Sequence, residues 1–240
     1  MHTSITLFAA GSLRRAFIPL VKTFIQQTGI AVEVQFGPAG LLRERIEAGE
    51  ACDVFASANA QHPQTLLERG LAQQSQPFAG NRLMLTVRSD AKGDALTLLR
   101  NPALRLATST PGCDPSGDYT WQLFDNFNAI EPGLGERLKS RACQLVGGSE
   151  ASIVPPGEIA GGWLIRQNLT DLFIGYAHYA RALSKDAALR IVDIPQAQNV
   201  RCDYHVARLS QCDAARQLYA FILAEEGQAY LRSAGFLAAN

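Results

Sequence analysis

Apolar positions along this chain recur with two alternating periods. Residues 5–9 are a continuous apolar run that predicts a buried strand, and Leu13, Phe17, Leu20, Val21 and Phe24 then repeat at helical spacing until Gly29 supplies a stop. Residues 30–36 predict a second strand and 52–56 a third. Leu41, Leu42, Ile46 and Ala48 mark a helix between them, and residues 63–70 a helix after them. Alternation of this kind predicts a largely parallel sheet covered on both faces, with ligands beyond the carboxyl ends of its strands.

Residues 83–87 predict a strand that crosses to a second α/β unit, where the alternation starts again. Strands are expected over 105–108, 144–146, 171–176, 189–194 and 204–209, with helices over 119–127 and 159–167. Residues 214–223 and 227–232 close the chain as two amphipathic helices. No internal repeat, low-complexity tract or flexible linker is visible. Two α/β lobes joined by crossing strands should leave a ligand cleft between them and close as a hinge.

Composition narrows the function classes. The chain has 240 residues, 47% of them apolar, enough to fill real cores, so disorder is not expected. Its 22 basic and 22 acidic residues cancel, which removes the long-range attraction that nucleic acid or an anionic membrane exploits. No run of about 18 apolar residues predicts a membrane span, and the first four residues lack the basic and apolar regions of a secretory signal. A soluble chain is expected, either as such or as a mature exported protein whose signal was replaced by an initiator Met. Cys52, Cys113, Cys143, Cys202 and Cys212 show no CxxC pair or zinc spacing. They read as thiols, with Cys113 and Cys143 the pair that could bridge in an oxidising compartment.

Three turns carry the candidate chemistry. Ala10-Gly11-Ser12, Gly37-Pro38-Ala39-Gly40 and Asp114-Pro115-Ser116-Gly117 each end a strand pattern and open a helix pattern. A helix N-terminus presents unpaired N–H donors and the positive end of the macrodipole, so three of them converging would hold an oxyanion without Lys or Arg. Ser12 is also expected to N-cap the helix beginning at Leu13, and Pro38 suits a first helical turn. Arg14 and Arg15 flank Ser12 and are expected on a solvated face, their charge steering an anion inward. Asp53 reads as a structural hydrogen-bonding residue. Enzyme chemistry has little support, since neither a nucleophile elbow nor a phosphate loop is present and His2, His62, His178 and His205 form no helical metal pair.

The ordered set Phe8-Ala9-Ala10-Gly11-Ser12-Leu13, Phe36-Gly37-Pro38-Ala39-Gly40-Leu41-Leu42, Ile46-Glu47-Ala48-Gly49, Cys52-Asp53-Val54-Phe55-Ala56-Ser57-Ala58 and Ala79-Gly80-Asn81-Arg82-Leu83 resembles the periplasmic molybdate-binding proteins of ABC importers. Asp114-Pro115-Ser116-Gly117-Asp118-Tyr119, Ile174-Gly175-Tyr176 and Gly235-Phe236 extend the resemblance over nearly the whole chain. It implies a type II periplasmic binding protein fold, with one lobe over residues 1–83 and 203–240 and the other over 84–202. It further implies a periplasmic monomer without a cofactor, with molybdate or tungstate as ligand and an ABC permease as partner.

Carried over, the family's oxyanion contacts fall on Ser12, Ala39, Ser116, a residue near Glu158, and Tyr176, with Gly11 and Gly40 beside them. Ala39 stands where the family usually has Ser, so only its backbone N–H can serve. Ser116 stands where many relatives have Ala, and its hydroxyl could compensate. Tyr176 fits both a core tyrosine and a lid over the anion. Glu158 leaves three readings open. It points away as a first-turn helix residue; or it turns inward with Asp114 to coordinate the metal centre directly, as in the archaeal-type tungstate and molybdate binders that the chain also resembles around Ser109-Thr110-Pro111 and Asp114-Pro115; or the ligand is another small anion such as phosphate, sulfate or a carboxylate. A sensor domain of the same fold, and more remotely an enzyme, are the rival classes.

Overall fold

The first apolar run forms β1 (Ser4–Ala10), an internal strand of a five-stranded sheet in which Leu7, Phe8 and Ala9 are fully buried. The computed structural model describes residues 4–240. The chain passes twice between two units, the first running up to Asn81 and resuming over Cys202–Asn240, the second comprising Arg82–Arg201.

In the first unit, β1 is flanked by two parallel strands, β2 (Ala31–Gly37) and β3 (Val54–Ser57). Beyond β3 lie β4 (Gln74–Asn81) and, between the two, a strand from the far end of the sequence, β10 (Cys202–Arg208), antiparallel to both. The sheet is therefore mixed where a largely parallel one was expected. Helix α1 (Arg14–Thr28) buries Phe17, Leu20, Val21 and Phe24 and stops at Gly29, whose φ of 71° is the left-handed C-cap that glycine adopts without strain. Helices α2 (Ala39–Glu47) and α3 (Gln61–Glu68) follow β2 and β3, and α9 (Asp213–Leu223) and α10 (Glu225–Ser233) close the chain. An aromatic chain runs through this core: Phe17 to Phe78 at 6.0 Å, Phe78 to Tyr204 at 6.3 Å, and Tyr204 to Phe236 at 5.3 Å between ring centres, the last two edge-on.

The second unit repeats the strand order and directions of the first. Its β6 (Leu106–Ser109) lies parallel to β7 (Cys143–Val146) on one side and β8 (Leu172–Tyr176) on the other. β8 pairs antiparallel with β5 (Leu83–Arg88), and β5 pairs antiparallel with β9 (Leu189–Asp193) at the edge. The strand expected to cross between units is thus β5, an internal strand of the second sheet; the passage occurs one residue before it, after Asn81. Around the sheet lie α4 (Ala95–Arg100), α5 (Pro115–Phe127), α6 (Leu134–Arg141), α7 (Ala160–Arg166) and α8 (Ala180–Leu183).

Each unit ties its own strands with the same device. Asp53, just before β3, receives the Thr6 N–H on its carboxylate at 2.8 Å while its own N–H donates to the Thr6 carbonyl at 2.9 Å. Asp171, just before β8, receives the Arg105 N–H at 2.8 Å and donates back to the Arg105 carbonyl at 3.1 Å. Each Asp carbonyl also accepts from the antiparallel strand's end, from Leu209 at 2.8 Å and from Arg88 at 3.1 Å. A carboxylate at this position pins three strands at one end, so Asp53 has the structural role expected of it. The guanidinium groups of Arg88 and Arg105 hold the Asp171 carboxyl down to about 2.

Candidate oxyanion site

In the first unit the candidate residues leave adjacent strands side by side, because β1 and β2 are in register with Ala10 opposite Gly37. Gly11–Leu13 forms a 3-10 turn, and the Arg14 N–H closes on the Gly11 carbonyl before α1 begins. The tighter turn drops Leu13 straight into the core, where it has no exposure. Ser12 is consequently not the N-cap of α1: Leu13 stands there, no side chain caps the helix, and the Ser12 hydroxyl lies 2.9 Å from the Tyr204 hydroxyl of β10.

Pro38 stands at the N-cap of α2, not in its first turn, with an extended ψ of 127°. The first N–H to find an intrahelical acceptor is that of Leu42, on the Pro38 carbonyl at 3.0 Å. Among the described residues no acceptor receives the N–H of Ala39 or Gly40, both buried. The first N–H groups of any helix lack an intrahelical partner, so this pair is available to an acceptor from outside the chain.

The second unit brings Asp114, Ser116 and Tyr176 to the ends of the neighbouring strands β6 and β8. Here the N-terminus is closed from within. Asp114 caps α5, its carboxylate accepting the Ser116 N–H at 3.2 Å; Pro115 has no N–H; and the Gly117 and Asp118 N–H groups both reach the Asp114 carbonyl, at 2.9 and 3.4 Å. The third turn therefore offers no open backbone N–H in this arrangement, contrary to the sequence-based expectation. Loss of water around the Asp114 carboxyl pushes it up to about 6, against the opposing bonds from Ser116 and Ser109. Packing keeps it there, since a Cβ on Gly147 would fall 2.7 Å from its Oδ2.

Glu158 lies outside the first turn of α7, whose N-cap is Ile159. It is exposed and ion-paired with Arg166, which also holds Asp186 at 3.0 Å. Asp114 and Glu158 thus have separate partners, and the structure does not assemble them into one donor set for molybdenum or tungsten. The cause is electrostatic: a guanidinium one helix length away satisfies Glu158 at the surface, while α5's own dipole holds Asp114. Among the described residues no group of three or more His, Cys, Asp or Glu could hold a metal ion.

Tyr176 ends β8 opposite Leu83, is 5% exposed, and precedes a 3-10 turn over Ala177–Tyr179 in which the His178 and Tyr179 rings meet tilted, 3.8 Å between centres. The five cysteines are free thiols, and burial pushes Cys52 up to about 12, which leaves it inert at neutral pH. Tyr204 was not anticipated beside Ser12. Its signal lay in the alternation of Cys202, Tyr204 and Val206 on the buried face of β10.

Known proteins agree with this architecture. A family model described as bacterial extracellular solute-binding protein matches residues 5–237, and the chain belongs to that family. It is 44% identical over 238 residues to an uncharacterized protein of Pasteurella multocida (strain Pm70), covering 98% of each chain. It is 27% identical over 240 residues to the molybdate-binding protein ModA of Mycobacterium bovis, covering 97% of this chain and 84% of the relative. Among solved structures, the sulfate-binding protein SubI of Mycobacterium tuberculosis superimposes with a TM-score of 0.77 at 19% identity, over 100% of this chain and 88% of its own. The periplasmic molybdate-binding protein of Azotobacter vinelandii does so with a TM-score of 0.75 at 16% identity, over 98% of this chain and 100% of its own. The fold is that of the type II periplasmic binding proteins, two mixed α/β units, and the family is one of solute binders. Among the described residues no helix is long and apolar enough to cross a membrane.

Proposed function

We propose that this protein captures molybdate or tungstate outside the cytoplasm, in the periplasm, and delivers it to the permease of an ABC importer. The observation that carries the reading is the pair of N–H groups on the buried residues Ala39 and Gly40 that no acceptor among the described residues receives, at the N-terminus of α2 and beside the turn that holds Gly11 and Ser12. Two such donors and the helix dipole suit a small fully ionised oxyanion. The molybdate-binding relatives add support. Ser116 and Tyr176 are the contacts we assign to the second unit, and for Ser116 the ligand must take over the N–H that Asp114 now holds.

Asp114 also favours a second reading, capture of hydrogen phosphate, because a carboxylate beside the anion can accept the ligand's proton, whereas fully ionised molybdate or sulfate would meet only repulsion. Calorimetry on protein stripped of ligand by unfolding and refolding separates the two. Micromolar or tighter binding of molybdate or tungstate, about 8 kcal/mol or more, with none of phosphate, is the expected result. Binding of phosphate alone would replace the first reading by the second.

A further inference from the structure

We propose that Arg14 contacts the captured oxyanion directly through the edge of its guanidinium and sets the preference of the first unit's half-site for a doubly charged ligand; the proposal rests on the oxyanion reading above. Arg14 is the first residue of α1, two positions past Ser12 and directly after the 3-10 turn. Its Cζ lies 4.5 Å from the centre of the Phe36 ring, and Phe36 is the residue opposite Ala9 in the β1–β2 register, just before Gly37. The guanidinium is thus held at the strand ends from which both donor turns of this unit depart.

An aromatic ring takes the face of a guanidinium and none of its five N–H donors. Several other arginines of the chain spend those donors within the protein: Arg45 faces Glu50, Arg88 and Arg105 face Asp171, and Arg141 and Arg190 donate to backbone carbonyls. Among the described residues, Arg14 meets neither a carboxylate nor a carbonyl, although it is half-buried. A guanidinium fixed on one face with its donor edges unspent is preorganised for a ligand with two oxygens side by side, which a tetrahedral oxyanion provides. It also adds a full charge to a half-site otherwise made of neutral N–H and hydroxyl groups, which favours dianions over monoanions.

The test is calorimetric titration of the full chain with molybdate and tungstate, comparing wild type with Arg14→Gln, Arg14→Lys and Arg15→Gln, each checked for native circular dichroism and melting temperature. Arg14→Gln should weaken binding about tenfold to a hundredfold, the range of a charge-assisted hydrogen bond. Arg14→Lys should recover only part of the loss, because Lys has the charge but not the planar fork, and exposed Arg15→Gln should stay within about twofold of wild type. An unchanged affinity in Arg14→Gln, equal losses in the Arg14 and Arg15 variants, or full recovery in Arg14→Lys would overturn the contact. Should Arg14→Gln fail to fold, Arg14→Lys decides alone, and wild-type affinity there counts against the proposal. If folded wild type binds neither oxyanion, the underlying reading fails and this inference with it; if wild type binds and Arg14→Gln binds equally, only the inference fails.

Discussion

His62 is the least comfortable side chain in the first unit. It sits near the start of α3 with 4% exposure, and among the described residues neither ring nitrogen has a hydrogen-bond partner. Burial, aided by the Arg43 charge, pulls it down to about 4, so the ring is neutral in the folded protein at pH 7. The unfolded chain takes up the proton first as pH falls, so the stability tied to neutral His62 is complete above about pH 6.5 and is lost as pH falls towards 4. His62→Leu should therefore be neutral or stabilising at pH 7, by up to about 1 kcal/mol, and should remove on the order of 2 kcal/mol of the loss on acidification. Urea titrations at several pH values check this; a His62→Leu curve parallel to wild type would refute it. His205, lowered by the same burial effect, adds to the loss in this window, Asp114, raised to about 6, opposes it because the folded state takes up that proton first, and Asp171, held down to about 2, acts only below it. None of this is legible in the sequence, where His62 is one polar residue beside a proline.

At the scale of elements, the start of α5 depends on a close approach. A Cβ on Gly117 would lie 2.5 Å from the backbone of both Thr110 and Pro111, whereas one on Gly11 would meet nothing within 4 Å. Gly117→Ala must push α5 away from the loop that precedes it and should cost about 1–3 kcal/mol or more, while Gly11→Ala should leave stability unchanged within about 0.5 kcal/mol. Equal melting temperatures for the two variants would contradict the packing described here. The strongly periodic elements were legible: β1, α1, β2, β6, β8 and the two closing helices fall within a few residues of their expected places, because their apolar residues face a core. β4, α4, α6 and α8 were not. β4 opens with the polar run Gln74-Ser75-Gln76, and its place is fixed by pairing with β10. α6 has one narrow apolar face in a charged helix, Leu134 and Leu138, and is held by packing on α5.

At the scale of the whole molecule, the proposed ligand should stabilise the fold by mass action. Molybdate at about 100 times its dissociation constant should add about 2.7 kcal/mol, which for a chain of this size raises the melting temperature by about 5–10 °C. A thermal scan across molybdate concentrations measures this directly, and a melting temperature that stays flat would exclude molybdate as the ligand. Sequence alone determined the α/β class and the turns that carry Ser12 and Ala39, because these follow from local periodicity and turn residues. Tertiary structure decided the rest. It inserted β10 into the first sheet and β5 into the second, drew the Ser12 hydroxyl to Tyr204, closed α5 with Asp114, turned Glu158 to Arg166, and laid Arg14 on Phe36. Each of these depends on which partner the fold brings within hydrogen-bonding or van der Waals reach. That proximity joins residues 192 positions apart in the case of Ser12 and Tyr204, and no local pattern encodes it.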